Sequence, residues 1–400
     1  MEKKLTGQNI TLFAFGNLRD SGSGGAVVAW KLGEKLNACK RLDRVTIFSK
    51  GGLETDFRCD DILPFSKLYS FIKKVFRLTV GKLFDIPHYI YRGIDERVFD
   101  FFASRSISST TEIALFSHPV LPQTLERLKK KGVIPILIAL NPHDIFIKKL
   151  VLEENKKYSL TELDSYTSEF RLKSIEKCLP YFKYIISYSS VISETYSING
   201  YGEELININY PLVPEYISIT GETVKKDNVF RVCYIASSVL LKGLQYLLEA
   251  WEGLNINNAE LVIGGTWDKN VNKIISDKFL HLNNVKYAGF VEDTSDFYRS
   301  ASVFVCPSLI DGGPRTVYEA MTFGLPVIVT EGCGAKDIVD DGKEGFIIPQ
   351  GDPEAIREKI MWFSEHPEEL MQMGINAREK IKNYPLAKFS DEIVKVVCKL

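Results

Sequence analysis

Short β-branched runs alternate with amphipathic stretches along nearly the whole chain, and no other feature restricts the fold as much. In the first half these runs predict strands at Ile10–Phe15, Arg44–Phe48, Glu112–Phe116, Ile134–Leu140, Tyr184–Ser187 and Leu205–Ile208. Helical patterns such as Ala26–Cys39, Gln123–Lys131 and Glu169–Leu179 lie between them. The second half repeats the rhythm with strands at Phe230–Ile235, Leu261–Ile263, Val285–Tyr287, Val303–Val305, Val327–Val329 and Gly345–Ile348. Continuously apolar strands separated by helices belong to parallel sheets covered on both faces. Right-handed crossovers wind such sheets doubly, and their ligands bind beyond the carboxyl ends of the strands.

Four hundred residues exceed what one core serves, so two α/β domains are expected. The aperiodic stretch from Pro211–Pro214 to Lys225–Asn228 marks the break. The expected divisions are 1–212, 213–386 and a final helix over 387–400 that follows Tyr384-Pro385. No apolar run reaches the roughly 18 residues of a membrane span. The N-terminal run Ile10–Phe15 is too short for a secretory core, so a cytoplasmic location is expected. The seven cysteines include no Cys-x-x-Cys, and buried reduced thiols are the expected state. Charge is divided unevenly. Residues 1–190 hold 30 basic against 21 acidic side chains, and residues 191–400 hold 20 against 30. A basic first half suits an anionic partner, although two solvated faces explain it equally well. The basic residues form no aromatic-interleaved stripe, which argues against nucleic acid.

Three segments carry chemistry. Gly16 and Ser21-Gly22-Ser23-Gly24-Gly25 follow the first strand and precede a helix, where bare backbone can approach an anion. Lys242-Gly243 stands at another strand-to-helix junction, a position suited to phosphate, although on its own the lysine reads as an exposed loop residue. The most specific segment is Cys306–Pro314 running into Arg315-Thr316-Val317-Tyr318-Glu319. Pro314 suits a first helical position, so the amides of Arg315, Thr316 and Val317 are expected to lack partners. Asp311 and Glu319 bracket this anion-ready helix start; sugar or ribose hydroxyls are the candidates for acids there, while either acid alone reads as a turn or surface-helix residue.

In order and spacing, residues 229–364 resemble the C-terminal domain of the family 4 retaining glycosyltransferases. Asp311-x7-Glu319 is similar to the family's E-x7-E, Lys242-Gly243 to its K-G, and Asn284–Val291 to its strand before the base loop. The segment Gly334–Asp337 with Asp341-Gly342 and Gly345-Phe346 also fits. The first half matches through its glycine loop and Ser187/Ser189.

The resemblance implies the GT-B fold: two Rossmann-like domains facing each other across a cleft, with the C-terminal helix returning to the first domain. It implies transfer of a sugar from a nucleoside-diphosphate sugar to a hydroxyl acceptor with retention, in polysaccharide or glycolipid synthesis. By this resemblance Lys242 binds the donor diphosphate, and Glu319 accepts from ribose hydroxyls. Asp311 with Gly312 and Gly313 holds the transferred sugar, and backbone at Phe290 and Val291 meets the base. Thr316 and Val317 offer amides to phosphate, as do Gly24 and Gly25 across the cleft. A histidine of the first domain faces the donor sugar; His143 is the first choice and His118 the second. Neither a D-x-D nor a carboxylate cluster suggests a divalent ion, and the family needs no metal or other cofactor.

Two residues depart from the family. Ser237 occupies the place of its diphosphate-binding arginine, which weakens the phosphate clamp unless Arg315 or another basic residue substitutes, and Asp311 replaces a glutamate. Those departures keep open a non-catalytic partner of another transferase, and an epimerase of the same fold is a further alternative. Residues 67–84 form an amphipathic basic segment suited to an anionic membrane, the ordinary alternative being a core-facing helix with a solvated basic side.

Overall fold

The computed structural model describes residues 9–17, 24–49, 55–61, 66–76, 78–79, 83–84, 88–160, 167–208, 210–211 and 227–400. Seven strands form the first sheet: β1 (Ile10–Asn17), β2 (Leu42–Ser49), β3 (Cys59–Asp61), β4 (Ile113–Phe116), β5 (Ile134–Ala139), β6 (Tyr184–Ser187) and β7 (Leu205–Asn207). Six form the second: β8 (Phe230–Ser238), β9 (Ala259–Trp267), β10 (Val285–Gly289), β11 (Val303–Cys306), β12 (Val327–Thr330) and β13 (Gly345–Ile348). The helices of the first half are α1 (Gly24–Ala38), α2 (Ser66–Phe76), α3 (His88–Ala103), α4 (Pro122–Lys131), α5 (Asp144–Lys157), α6 (Glu169–Cys178) and α7 (Ser190–Ile198). Those of the second are α8 (Leu244–Glu252), α9 (Lys269–Ile274), α10 (Thr294–Arg299), α11 (Arg315–Thr322), α12 (Pro353–Glu365), α13 (Pro367–Ile381) and α14 (Leu386–Val397).

The strand orders are β3-β2-β1-β4-β5-β6-β7 and β10-β9-β8-β11-β12-β13, and the ladders between these strands are parallel. Both sheets are doubly wound, and both reverse direction beside their first strand. The resulting crevices open between β1 and β4 and between β8 and β11. All twelve predicted strands form. The additional strand, β3, is an edge of three residues, and Asp60 and Asp61 hide it from any apolar pattern. In β4, β11 and β12 every side chain is buried, because helices cover both faces. This explains why those strands read as unbroken apolar runs rather than as alternation.

The chain crosses back at its end. Leu386, Phe389, Ile393 and Val397 recur at helical spacing on one face of α14 and join the core of the first sheet, where α14 lies against α1. Phe389 is fully buried and meets Tyr188 edge-on at 5.9 Å. Phe389→Ala is therefore expected to lower unfolding free energy by about 3–5 kcal/mol, measured by denaturant titration.

Candidate functional site

Lys242 and Asp311 come from the ends of two neighbouring strands. The chain leaves β8, makes a single 3-10 turn over Leu240–Lys242, and enters α8 through Gly243. Gly243 has φ of +69°, and a Cβ there would stand 1.9 Å from the carbonyl oxygen of Pro307. Only glycine lets this turn press against the chain leaving β11. Asp311 lies beyond β11, where its amide donates to the Gly332 carbonyl at 2.9 Å and its carbonyl accepts from Gly334 at 2.8 Å. Across the crevice the Lys242 ammonium forms an ion pair with Oδ2 of Asp311, while Oδ1 accepts from the Gly313 amide at 3.1 Å.

A cleft of about 220 Å³ opens at this point, with Ser237, Lys242, Asp311, Arg315 and Thr316 among its walls. Ser237 is exposed near the end of β8, in register with Thr266. The start of α11 departs from the sequence expectation in two respects. Pro314 is the N-cap rather than the first helical residue. The Val317 amide, expected to be unpaired, donates to the Pro314 carbonyl at 3.1 Å in a tight first turn. Arg315 and Thr316 occupy the start of that turn, and both line the cleft.

Glu319 stands one turn further along α11 and is only 7% exposed. Burial raises the pKa of its carboxyl, while the Tyr298 hydroxyl and the Arg315 charge oppose that shift. The Tyr298 hydroxyl donates to Oε2 at 3.0 Å. Sequence reasoning missed Tyr298, since a buried tyrosine on α10 carries no motif; its only signal is an apolar helical face ending in a hydroxyl.

Gly312 and Gly313 lie against the first domain. A Cβ at Gly312 would lie 2.7 Å from Ile192 and 3.2 Å from the Leu140 carbonyl, and one at Gly313 would lie 2.7 Å from the Tyr188 ring. All three neighbours belong to the first domain, so these glycines permit the two halves to close on each other. Asp337 adds a polar clasp, accepting from the Ser190 amide at 2.7 Å and the Ser190 hydroxyl at 2.5 Å. The α5 carboxylate of Glu154 accepts from Tyr246 at 2.6 Å and from Gln245 at 2.9 Å, both on α8.

The remaining candidates lie further out. Phe290 is exposed at the end of β10, and Val291 packs beside the cluster that contains Ile235. Gly24 and Gly25 open α1, and Ser21–Ser23 lie outside the described residues. His143 is 1% exposed and caps α5, its Nδ1 accepting from the Ile145 amide at 3.3 Å. Its ring stacks on Tyr201, and burial lowers its pKa. His118 stands at the crevice of the first sheet, stacked on Phe15 at 5.0 Å. Its Nε2 lies 3.2 Å from the buried Glu96 carboxylate, and burial lowers its pKa as well. Neither ring lines the cleft at Lys242. Among the described residues no group of three or more His, Cys, Asp or Glu could hold a metal ion.

Residues 218–380 match the family model of glycosyl transferases group 1. The capsular polysaccharide biosynthesis glycosyltransferase CapM of Staphylococcus aureus is 31% identical over 170 residues, 41% of this chain and 43% of that protein. This chain spans 44% and 43% of the lengths of the first curated relatives it matches. Sucrose-phosphate synthase from Thermosynechococcus elongatus superposes with a TM-score of 0.68 at 16% identity, covering 98% of each chain. Anabaena HepE in complex with UDP and glucose gives 0.63 at 13% identity, covering 98% of this chain and 100% of that one. These structures share the fold, two Rossmann-like domains of the GT-B type. Lys242, Asp311 and Glu319 all lie within residues 218–380, the part of the chain that is similar to the glycosyl transferases group 1 family.

Proposed function

We propose that this chain transfers a sugar from a nucleoside-diphosphate sugar to a hydroxyl of a glycan or lipid-linked glycan, with retention and without a metal ion. The observation that carries this reading is the Lys242–Asp311 ion pair beside the open start of α11, at the crevice between β8 and β11. A cation and the amide end of a helix suit the diphosphate, and the adjoining carboxylates suit sugar and ribose hydroxyls. In this reading Lys242 turns from Asp311 to the diphosphate, and the freed Asp311 and the Gly312-Gly313 turn hold the sugar. Glu319, already fixed by Tyr298, accepts from the ribose, and backbone at Phe290 and Val291 meets the base. Gly24 and Gly25 approach the phosphate from the opposite domain. HepE, whose structure holds UDP and glucose, supports the choice of donor class.

Transfer breaks the bond from the sugar's anomeric carbon to the diphosphate oxygen and forms one to the acceptor oxygen on the same face. The acceptor proton passes to the departing phosphate. Negative charge grows on the diphosphate through an oxocarbenium-like state, so the fixed ammonium and helix start matter most there.

The acceptor side carries a further expectation. α2 turns Tyr69 and Lys73 inward onto Asp95 of α3, and leaves Phe71 63%, Ile72 56% and Val75 43% exposed. This reverses the ordinary arrangement of a core-facing apolar side. Leu78, Leu83 and Phe84 are exposed too, and residues 67–84 hold five cations and no acid. Such a face suits an anionic membrane surface where a lipid-linked acceptor resides.

Three measurements test this function. Lys242→Ala is expected to lower kcat by roughly 10²–10³ with a smaller change in donor KM, because its charge serves the transition state. Glu319→Gln is expected mainly to raise donor KM, since ribose does not change during transfer. Near-normal turnover in both would overturn the site, and no nucleoside diphosphate released from any donor would favour a non-catalytic partner.

The same Glu319→Gln change is expected to raise the melting temperature at pH 7. Burial raises the folded-state pKa of this acid, so ionisation opposes folding above the ordinary carboxylate range. The gain should vanish as pH falls below that range, where the carboxyl is protonated in both states. Finally, the chain should sediment with phosphatidylglycerol vesicles and not with phosphatidylcholine vesicles, and Phe71→Asp should weaken that binding roughly tenfold. Equal binding to both lipids, or to neither, would remove the membrane from the scheme.

A further inference from the structure

The leaving diphosphate carries more charge than one ammonium can balance, and the ammonium of Lys242 is shared with Asp311. The opposite wall offers little help, since Ser237 brings only a hydroxyl to the cleft. One other cation lines the same cleft. Arg315 is the first residue of α11, next to Thr316 in the cleft wall, and its side chain is half-buried. Gly313, two residues earlier, donates to the Asp311 carboxylate, and the Asp311 backbone bonds to Gly332 and Gly334, so the turn that leads into Arg315 is tied to the partner of Lys242.

Chemistry favours this arginine over a general surface role. A planar guanidinium grips phosphate oxygens through two parallel N–H donors and stays charged when partly desolvated. Burial lowers its pKa and the Glu319 carboxylate, four residues on, opposes the shift, so it remains a cation. Each cation of the cleft therefore has an acid near it, Lys242 with Asp311 and Arg315 with Glu319. These are the two acids assigned above to hydroxyls. An arriving diphosphate can draw both cations while the sugar and ribose hydroxyls take up the acids.

We propose that Arg315 is the second diphosphate-binding cation of this chain, acting from the start of α11 together with Lys242 from the end of β8. The proposal rests on the donor-site reading and assigns to that site a residue the reading does not use.

Inorganic pyrophosphate is the suitable probe, because it contains no base or sugar. Its affinity is measured by calorimetry for the full chain and for Arg315→Ala, Arg315→Lys, Lys242→Ala and the double variant Arg315→Ala/Ser237→Arg. Arg315→Ala should weaken binding by roughly 10- to 100-fold, and Arg315→Lys by less, since charge is kept while the two-pronged geometry is lost. The double variant should regain much of the loss, because residue 237 lines the same cleft and an arginine there reaches the same phosphate. Circular dichroism confirms that each variant folds, and recovery in the double variant separates lost charge from a damaged fold. Unchanged affinity in Arg315→Ala with a clear loss in Lys242→Ala overturns the role of Arg315 and leaves the donor site standing. Unchanged affinity in both, or no binding to the native chain, overturns the donor site as well.

Discussion

Lys242 and Asp311 meet across the gap where β8 and β11 part, and much of the second domain is arranged so that they can. A crevice forms there because the chain reverses its winding direction at that point, which leaves no helix to fill the space beyond the two strands. The ion pair then depends on backbone packing on either side of it. Gly243 brings the turn carrying Lys242 against Pro307, and the Asp311 backbone is held by Gly332 and Gly334. Glycines at such contacts remove the Cβ that would hold the two turns apart. Partly buried opposite charges are tolerated because each is satisfied by the other and, for Asp311, by the Gly313 amide.

The first domain reaches the same pair through its neighbours. Leu241 and Ile310, adjacent in sequence to Lys242 and Asp311, pack with Ile147, Val151 and Val191 from α5 and α7. The Asp337–Ser190 clasp and the Glu154 contacts to α8 border that cluster with polar bonds. Closure of the domains and placement of the ion pair thus draw on one set of contacts. A shift of α5 would be felt at Leu241, next to Lys242, since packed interiors transmit displacement.

Much of this was legible in the linear chain. The apolar runs located the central strands because burial on both faces leaves no polar position in them. Lys242, Asp311 and Glu319 stood out as candidates because turns and a helix start surround them and their order and spacing resemble a family pattern. What escaped detection had no local restriction to betray it. Tyr298 is an apolar helix residue until its hydroxyl is seen to meet Glu319, and Asp337 is a loop acid until Ser190 lies opposite. The edge strand β3 has two acids in three residues and owes its pairing to β2 alone. The sign of the α2 surface was also invisible, because an amphipathic pattern states that two faces differ and not which one meets the core.

The sequence by itself determined the α/β class, the two doubly wound sheets, the turns that present Lys242 and Asp311, and the helix on which Glu319 sits. These follow from periodicity, glycine placement and helix-start chemistry, all of which act over a few residues. Tertiary structure decided which residues became partners: Lys242 with Asp311, Glu319 with Tyr298, the Gly312-Gly313 turn with Tyr188 and Ile192, and Arg315 with the shared cleft. It also decided that His143 spends its ring on a helix cap while His118 stands at the first crevice. Those pairings join residues far apart in the chain, and only the strand order and the closure of two domains bring such residues within the few ångströms over which hydrogen bonds and ion pairs act.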